Sequence, residues 1–192
     1  MISKSHYMIS KPQHTISKPS GLTYIPDAIT EDEEIALINF IDSKEWSTNL
    51  KRKVQQYGYA YSYKTSRVAL DQKVPEIPEM FQTLIDRFNL DDPNQIIVNN
   101  YEVGQGIANH IDSNIFDKQV ATLSLNSDVV MDFIRNTTHY PILLERRSLA
   151  ILEGEARTAF THGISARKSD YIDNKLKKRS RRISITFRKY KS

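Results

Sequence analysis

From Ile96 onward the chain falls into short runs rich in β-branched and aromatic residues, which confines it to a fold of many short strands. The runs are Ile96–Tyr101, Val120–Leu125, Val129–Ile134, Tyr140–Leu144, Leu149–Leu152, Ala159–His162 and Arg182–Lys189. Turn signals such as Gly104-Gln-Gly106 and Asn126-Ser-Asp128 separate some of them. Short strands at regular spacing argue for a sandwich or jelly roll, not a parallel βαβ sheet.

The helices lie ahead of that series. Thr30 and Glu33 form a capping box, and Ile35, Ile38 and Ile41 follow at helical spacing, so a helix is expected over Glu31–Ser43. A second is expected from Pro78, with Phe81, Leu84, Ile85 and Phe88 on one face. Both apolar stripes read as core packing. The expected class is therefore mainly β with flanking α, a jelly roll with its N-terminal helices packed on the sheet. Before them, Ile-Ser-Lys recurs at Ile2, Ile9 and Ile16, with proline following twice. So little apolar surface predicts a disordered tail over residues 1–20 and one ordered domain over 21–192. His6 and His14, in that tail, are not read as ligands.

The last run carries polar residues where a strand would bury them. Arg182, Ser184, Thr186 and Arg188 share one face, while Ile183, Ile185 and Phe187 share the other. An arginine inside a small barrel is costly unless it meets an anion. Guanidinium suits a carboxylate in bidentate geometry, so a dicarboxylate co-substrate would satisfy it. Asn99 and Tyr101 are likewise two apart and can donate to the same ligand.

His110 and Asp112 are also two apart, so in extended chain both reach one metal ion, with His162 as a third ligand from a later strand. The chain has no cysteine, which excludes disulfides and thiolate sites and leaves His, Asp and Glu as ligands. Two histidines and one carboxylate leave open positions, as in non-haem iron(II) oxygenases; the same set also holds zinc. Ligand identity does not choose between them; a co-substrate site does.

The chain is 26% charged with a net charge of +4, and no apolar run approaches the ~20 residues needed to cross a bilayer. An intracellular home, cytoplasmic or nuclear, and a monomer are expected, with no membrane partner and no secretory signal. Nine Lys/Arg and no acid lie between Lys175 and Ser192, leaving about −5 elsewhere. Local basicity points to a nucleic-acid partner, with Lys177 and Lys178, in a polar insert expected to be mobile, as phosphate contacts. Tyr57, Tyr59, Tyr61 and Tyr63 recur at period two, so one strand face could present them as a stacking platform for an unpaired base. Lys51, Arg52 and Lys53 precede them. His139, beside Tyr140-Pro141, reads as a surface residue.

Taken together, Asn99-x-Tyr101, His110-x-Asp112, His162 and the Arg182/Arg188 pair resemble the AlkB family of iron(II)/2-oxoglutarate dioxygenases. The likeness runs from about Tyr57 to Lys189. Ser124-Leu-Asn-Ser, Val130-Met-Asp-Phe, Arg146-Arg-Ser-Leu, Gly154-Glu-Ala-Arg and Thr161-His-Gly-Ile are most similar to the AlkB domain of the eukaryotic tRNA-modifying homologues. The resemblance implies a double-stranded β-helix with iron bound by His110, Asp112 and His162. It places the distal carboxylate of 2-oxoglutarate on Arg182. Arg188, Asn99 and Tyr101 would complete the pocket, with Ser184 beside them. Asn114 stands two after the metal aspartate, where DNA-repair members carry an acid that contacts the base.

By the same resemblance, Fe(II), 2-oxoglutarate and O2 oxidise a C–H bond of an unpaired or flipped base in DNA or RNA. Oxidative demethylation of an alkylated base is the first expectation. Hydroxylation of a modified tRNA wobble base is the alternative, and a non-catalytic nucleic-acid-binding jelly roll is the rival of another class. The tRNA-modifying homologues also carry an RNA-binding module and a methyltransferase domain, for which 192 residues leave no room.

Overall fold

Alternating side chains on the long strands sort this molecule into two layers, one packed against helices and one facing a cavity. The computed structural model describes residues 18–48, 50–62, 65, 67–69, 73–173 and 175–191. In chain order the elements are β1 (Leu22–Ile25), α1 (Glu31–Asp42), β2 (Lys53–Gly58), β3 (Tyr61–Ser62), β4 (Arg67–Val68), α2 (Glu79–Arg87), β5 (Gln95–Tyr101), β6 (Ile107–His110) and β7 (Phe116–Leu125). They continue as β8 (Val129–Arg135), β9 (Thr138–Leu144), β10 (Leu149–Leu152), α3 (Gly154–Thr158), β11 (Thr161–Ile164), β12 (Ser169–Ile172), β13 (Lys175–Lys178) and β14 (Arg182–Tyr190).

Six strands pair antiparallel in the order β1-β10-β7-β14-β5-β2, and four in the order β6-β11-β8-β9. On the larger sheet, Ile96, Val98, Leu123, Ile183, Ile185 and Phe187 face outward into one core with α1 and α2. Phe81 of α2 is fully buried there, edge-on to Phe40, Tyr57 and Phe187 at 5.8, 5.4 and 6.5 Å. Truncating such a ring costs about 3–5 kcal/mol. A second core joins Val129, Met131 and Phe133 of β8 to Ala150 and Leu152 of β10, closing one sheet over the other. This is the expected jelly roll with helices on one sheet.

Local chemistry explains the elements. Thr30 Oγ1 accepts from the Glu33 amide at 3.2 Å and the Glu33 carboxylate from the Thr30 amide at 2.8 Å, so the expected capping box forms. Glu34 is 1% exposed and accepts from the Arg146 guanidinium and the Asn126 amide, tying α1 to the turn after β7. Pro78 stands just outside α2 as its N-cap, not within its first turn.

Other boundaries differ from the sequence reading. The expected tail lies outside the described residues as far as residue 17. Pro19 and Ser20, just after it, accept hydrogen bonds from the Leu22 and Ala156 amides. The run expected as a strand from Ala159 starts at Thr161, because α3 occupies Gly154–Thr158. The insert expected to be mobile forms the β12–β13 hairpin.

Candidate active site

β6 and β11 are neighbours, and their register sets His110 directly opposite His162, with ring centroids 4.5 Å apart. The contact depends on Gly163. A Cβ there would stand 2.2 Å from Asn109 Oδ1 and 2.9 Å from the Asn109 amide nitrogen. Asp112 follows β6 and brings Oδ2 to 3.4 Å from His162 Nε2. One ligand atom from each of the three residues lies within 4.8 Å of the others.

The donors are prepared for a cation. His110 Nδ1 lies 2.9 Å from the Ala108 carbonyl, which can only accept, so the proton sits on Nδ1 and Nε2 keeps its lone pair. Burial, then the neighbouring His162, lowers the His110 pKa and keeps the ring neutral. Burial alone would raise the Asp112 carboxyl. The hydrogen bond to His162 and the Arg188 guanidinium outweigh it, holding Asp112 below the usual carboxylate range. His162 Nδ1 is buried without a hydrogen-bond partner among the described residues. Two imidazoles and one ionised carboxylate fit a ferrous ion.

The same cavity, of about 90 Å³, is lined at its other side by β14 and β5. Arg182 is 4% exposed, donates to Ser124 Oγ at 2.7 Å and faces the Tyr101 ring at 5.6 Å. Its Nε has no partner among the described residues, and burial pushes its pKa down to about 10. A buried cation so weakly compensated is a place for a carboxylate. Arg188 donates to Asp112 Oδ1 at 3.2 Å and to Gln95 Oε1 at 2.8 Å, with its guanidinium carbon 3.9 Å from the centre of the Phe116 ring. Asn99, Ser184 and Thr186 line the wall between the two arginines. Asn99 Oδ1 accepts from Arg52 Nε at 2.8 Å.

Residues 21–188 match the family described as the 2OG-Fe(II) oxygenase superfamily. The chain belongs to that superfamily. It is 34% identical, over 88% of its length, to the tRNA (carboxymethyluridine(34)-5-O)-methyltransferase ALKBH8 of Macaca fascicularis, of which it covers 30%. It is 33% identical to the uncharacterized protein L905 of Acanthamoeba polyphaga mimivirus, over 88% of this chain and 84% of that one. The solved structure of OsALKBH1 superposes with a TM-score of 0.68 at 17% identity, covering 91% of this chain and 99% of that chain. The chain thus spans about 30% of the length of the macaque, Xenopus tropicalis and mouse ALKBH8 relatives it matches. Superfamily membership decides between the metals left open by the ligand set: this is a dioxygenase that uses Fe(II), 2-oxoglutarate and O2.

Among the described residues, the tyrosines of the oxygenase do not share one face. Gly58 takes φ +75°, and a Cβ there would stand 2.1 Å from the Asn94 carbonyl oxygen, so the strand ends. Tyr57 is buried against Phe81, with its hydroxyl donating to Gln55, and has no surface to offer a base. Tyr59 is exposed beside Tyr190, their rings 5.3 Å apart. Tyr61 is half-buried, its ring 5.2 Å from the Arg188 guanidinium and 5.5 Å from the Phe116 ring. Tyr63 lies outside the described residues. Asn114 is exposed and does not line the cavity among the described residues.

The basic C-terminal stretch is largely neutralised. Lys177, Arg179, Arg181, Arg188, Lys189 and Lys191 pair with Asp128, Asp170, Asp42, Asp112, Asp92 and Asp117. Lys178 is exposed and makes no ion pair among the described residues. His139 lies at the surface as expected, 2.8 Å from Asp132.

Sequence reasoning missed Arg157. It is 2% exposed and donates to the carbonyls of Asp112 and Ser113 at 2.8 Å each, clamping the turn that carries the metal carboxylate. A lone arginine on a short helix gives no periodic signal, and its partners are backbone oxygens that no sequence pattern marks. Arg52 was grouped with its lysine neighbours, yet it lines the cavity.

Proposed function

We propose that this dioxygenase oxidises a modified, unpaired base in nucleic acid, removing an N-methyl group where the target carries one. In this reading His110, Asp112 and His162 hold iron. Arg182 takes the distal carboxylate of 2-oxoglutarate, with Arg188, Asn99, Tyr101 and Ser184 around the remainder. The observation that carries it is the single cavity bounded by both the triad and a buried guanidinium. A relative named as a tRNA methyltransferase supports the choice of nucleic acid. Iron held by His110, Asp112 and His162 would supply the oxidising chemistry, coupling decarboxylation of 2-oxoglutarate by O2 to hydroxylation of a nearby C–H bond. A hydroxylated N-methyl group would then break its C–N bond and leave as formaldehyde. The protein's own part is to hold both co-reactants and shield them from water.

A second reading, hydroxylation of a modified tRNA wobble base, is favoured by charge. Among the described lining residues Asp112 is the only acid, against Arg52, Arg182 and Arg188. A cationic methylated base meets no spare carboxylate there, since Asp112 serves the metal and Asn114 is neutral. An uncharged uridine derivative meets no such penalty.

The test is succinate release with Fe(II), 2-oxoglutarate and a panel of single-stranded oligonucleotides. The panel spans cationic N-methylated bases and uncharged modified uridines, and mass spectrometry of the products reads the outcome. Loss of 14 mass units with formaldehyde supports demethylation, and a gain of one oxygen supports stable hydroxylation. No turnover on any nucleic acid would overturn both, and equal turnover by the His110→Ala variant would overturn the metal assignment.

A further inference from the structure

The hairpin between the strand of His162 and the strand of Arg182 turns one face outward. Tyr171 and Leu176 are register partners, as are Ser169 and Lys178, so these four side chains share that face. Tyr171 is 73% exposed and Leu176 60%, the two most exposed large apolar side chains among the described residues. The opposite face is fastened to the body. Asp170 is 2% exposed and accepts from Arg167 Nε at 2.7 Å, Arg179 Nε at 2.6 Å and the Val130 amide at 3.3 Å. Lys177 pairs with Asp128 on that same side.

A hairpin rooted through a buried carboxylate is held stiffly enough to present its outer face in one orientation. Leaving a tyrosine and a leucine in water forgoes the burial available to side chains of that size. The charge around them selects the kind of partner. Of the six basic side chains in residues 167–179, Arg167 and Arg179 pair with Asp170 and Lys177 with Asp128, which leaves three lysines. Lys168, Lys175 and Lys178 are exposed there and form no ion pair among the described residues. Asp173, at the turn, is the one exposed acid.

We propose that the outer face of β12–β13 binds a single-stranded segment of the nucleic-acid substrate. An unpaired base stacks on Tyr171 beside Leu176, and Lys178, on the same face, meets a phosphate. Base stacking tolerates any sequence, while phosphate contacts are salt-dependent, so the face adds affinity and not base choice. The inference rests on the nucleic-acid reading above and names where, outside the cavity, the strand is held.

Fluorescence anisotropy with a short labelled single-stranded RNA of mixed sequence, and its DNA counterpart, tests it on the full chain. Tyr171→Ala is expected to weaken binding about tenfold. Tyr171→Phe, which keeps the ring and drops the hydroxyl, is expected to restore it, and the melting temperature of each variant excludes unfolding as the cause. Lys178→Ser should lower the slope of log affinity against log salt by about one. Parent-like affinity in Tyr171→Ala would overturn the proposal and leave the nucleic-acid reading standing, as it would if this face docked a protein. Failure of the parent to bind either oligonucleotide at low salt would remove both.

Discussion

Arg182 and Tyr101 are register partners across β14 and β5, with the guanidinium carbon 5.6 Å from the ring centroid. Folding therefore buries a full positive charge against an aromatic face and one hydroxyl. The folded chain holds that proton less tightly than the unfolded chain does, since the pKa falls to about 10. The sign follows: below pH 10 the buried cation costs the apo fold stability, and a bound carboxylate recovers it. Arg182→Met should thus melt at or above the parent temperature without 2-oxoglutarate, and lose the parent's stabilisation by it. The KM for 2-oxoglutarate should rise by about 30-fold or more, the equivalent of about 2 kcal/mol. Thermal melts with and without 2-oxoglutarate, together with succinate kinetics, check both halves.

Gly163 links sheet pairing to metal binding. Its position has no strained backbone angle, and only the approach of Asn109 forbids a side chain. Gly163→Ala must push β6 from β11 and separate His110 from His162. Affinity for Mn(II) or Co(II), measured by titration calorimetry, should fall at least tenfold. Secondary structure by circular dichroism should be retained, because the six-stranded sheet does not include these strands.

Much of this was legible from the chain alone, for definable reasons. Period-two alternation in Arg182–Arg188 separates an apolar face from a polar one, and the structure buries both as that pattern requires. The capping box at Thr30 formed because its two hydrogen bonds are local. The tyrosine run misled because alternation assumes a continuous strand, and Gly58 ends it by turning to a positive φ. The hairpin escaped notice because lysine-rich sequence has weak strand propensity; its pairing is held by Asp170 and two arginines flanking the strands. Charge counting overstated the C-terminal stretch, since the compensating aspartates are remote in sequence.

Arg157 makes a different kind of prediction, because its partners are carbonyls and not a ligand. Arg157→Met keeps the volume, leaves the buried Asp112 carbonyl without its donor, and leaves the Ser113 carbonyl with the Phe116 amide alone. Stability should fall by about 2–4 kcal/mol in urea unfolding. Metal affinity should fall about 10- to 100-fold as the turn carrying Asp112 loosens, while the KM for 2-oxoglutarate at saturating metal changes little. Unchanged metal affinity would show that the turn is held by other contacts.

Glu33 supplies the pH dependence. The hydrogen bond from Arg87, then the Thr30 amide, lowers its pKa from 4.5 to about 2. A group depressed on folding stabilises above its unfolded pKa, and that contribution disappears as pH falls through the folded value. The window here runs from about pH 4.5 down to about pH 2. The carboxylate is partly solvated, so its worth at pH 7 is small, about 1 kcal/mol, or about 3 °C in melting temperature for a chain of this size. Glu33→Gln should therefore melt about that much lower than the parent at pH 7. The gap should narrow below pH 4.5 and be largely lost by about pH 2, as the parent carboxyl takes up its own proton. A gap that stayed constant across this range would mean that the box acts through shape and hydrogen bonding alone, and that the charge on Glu33 contributes nothing to holding α1 in place.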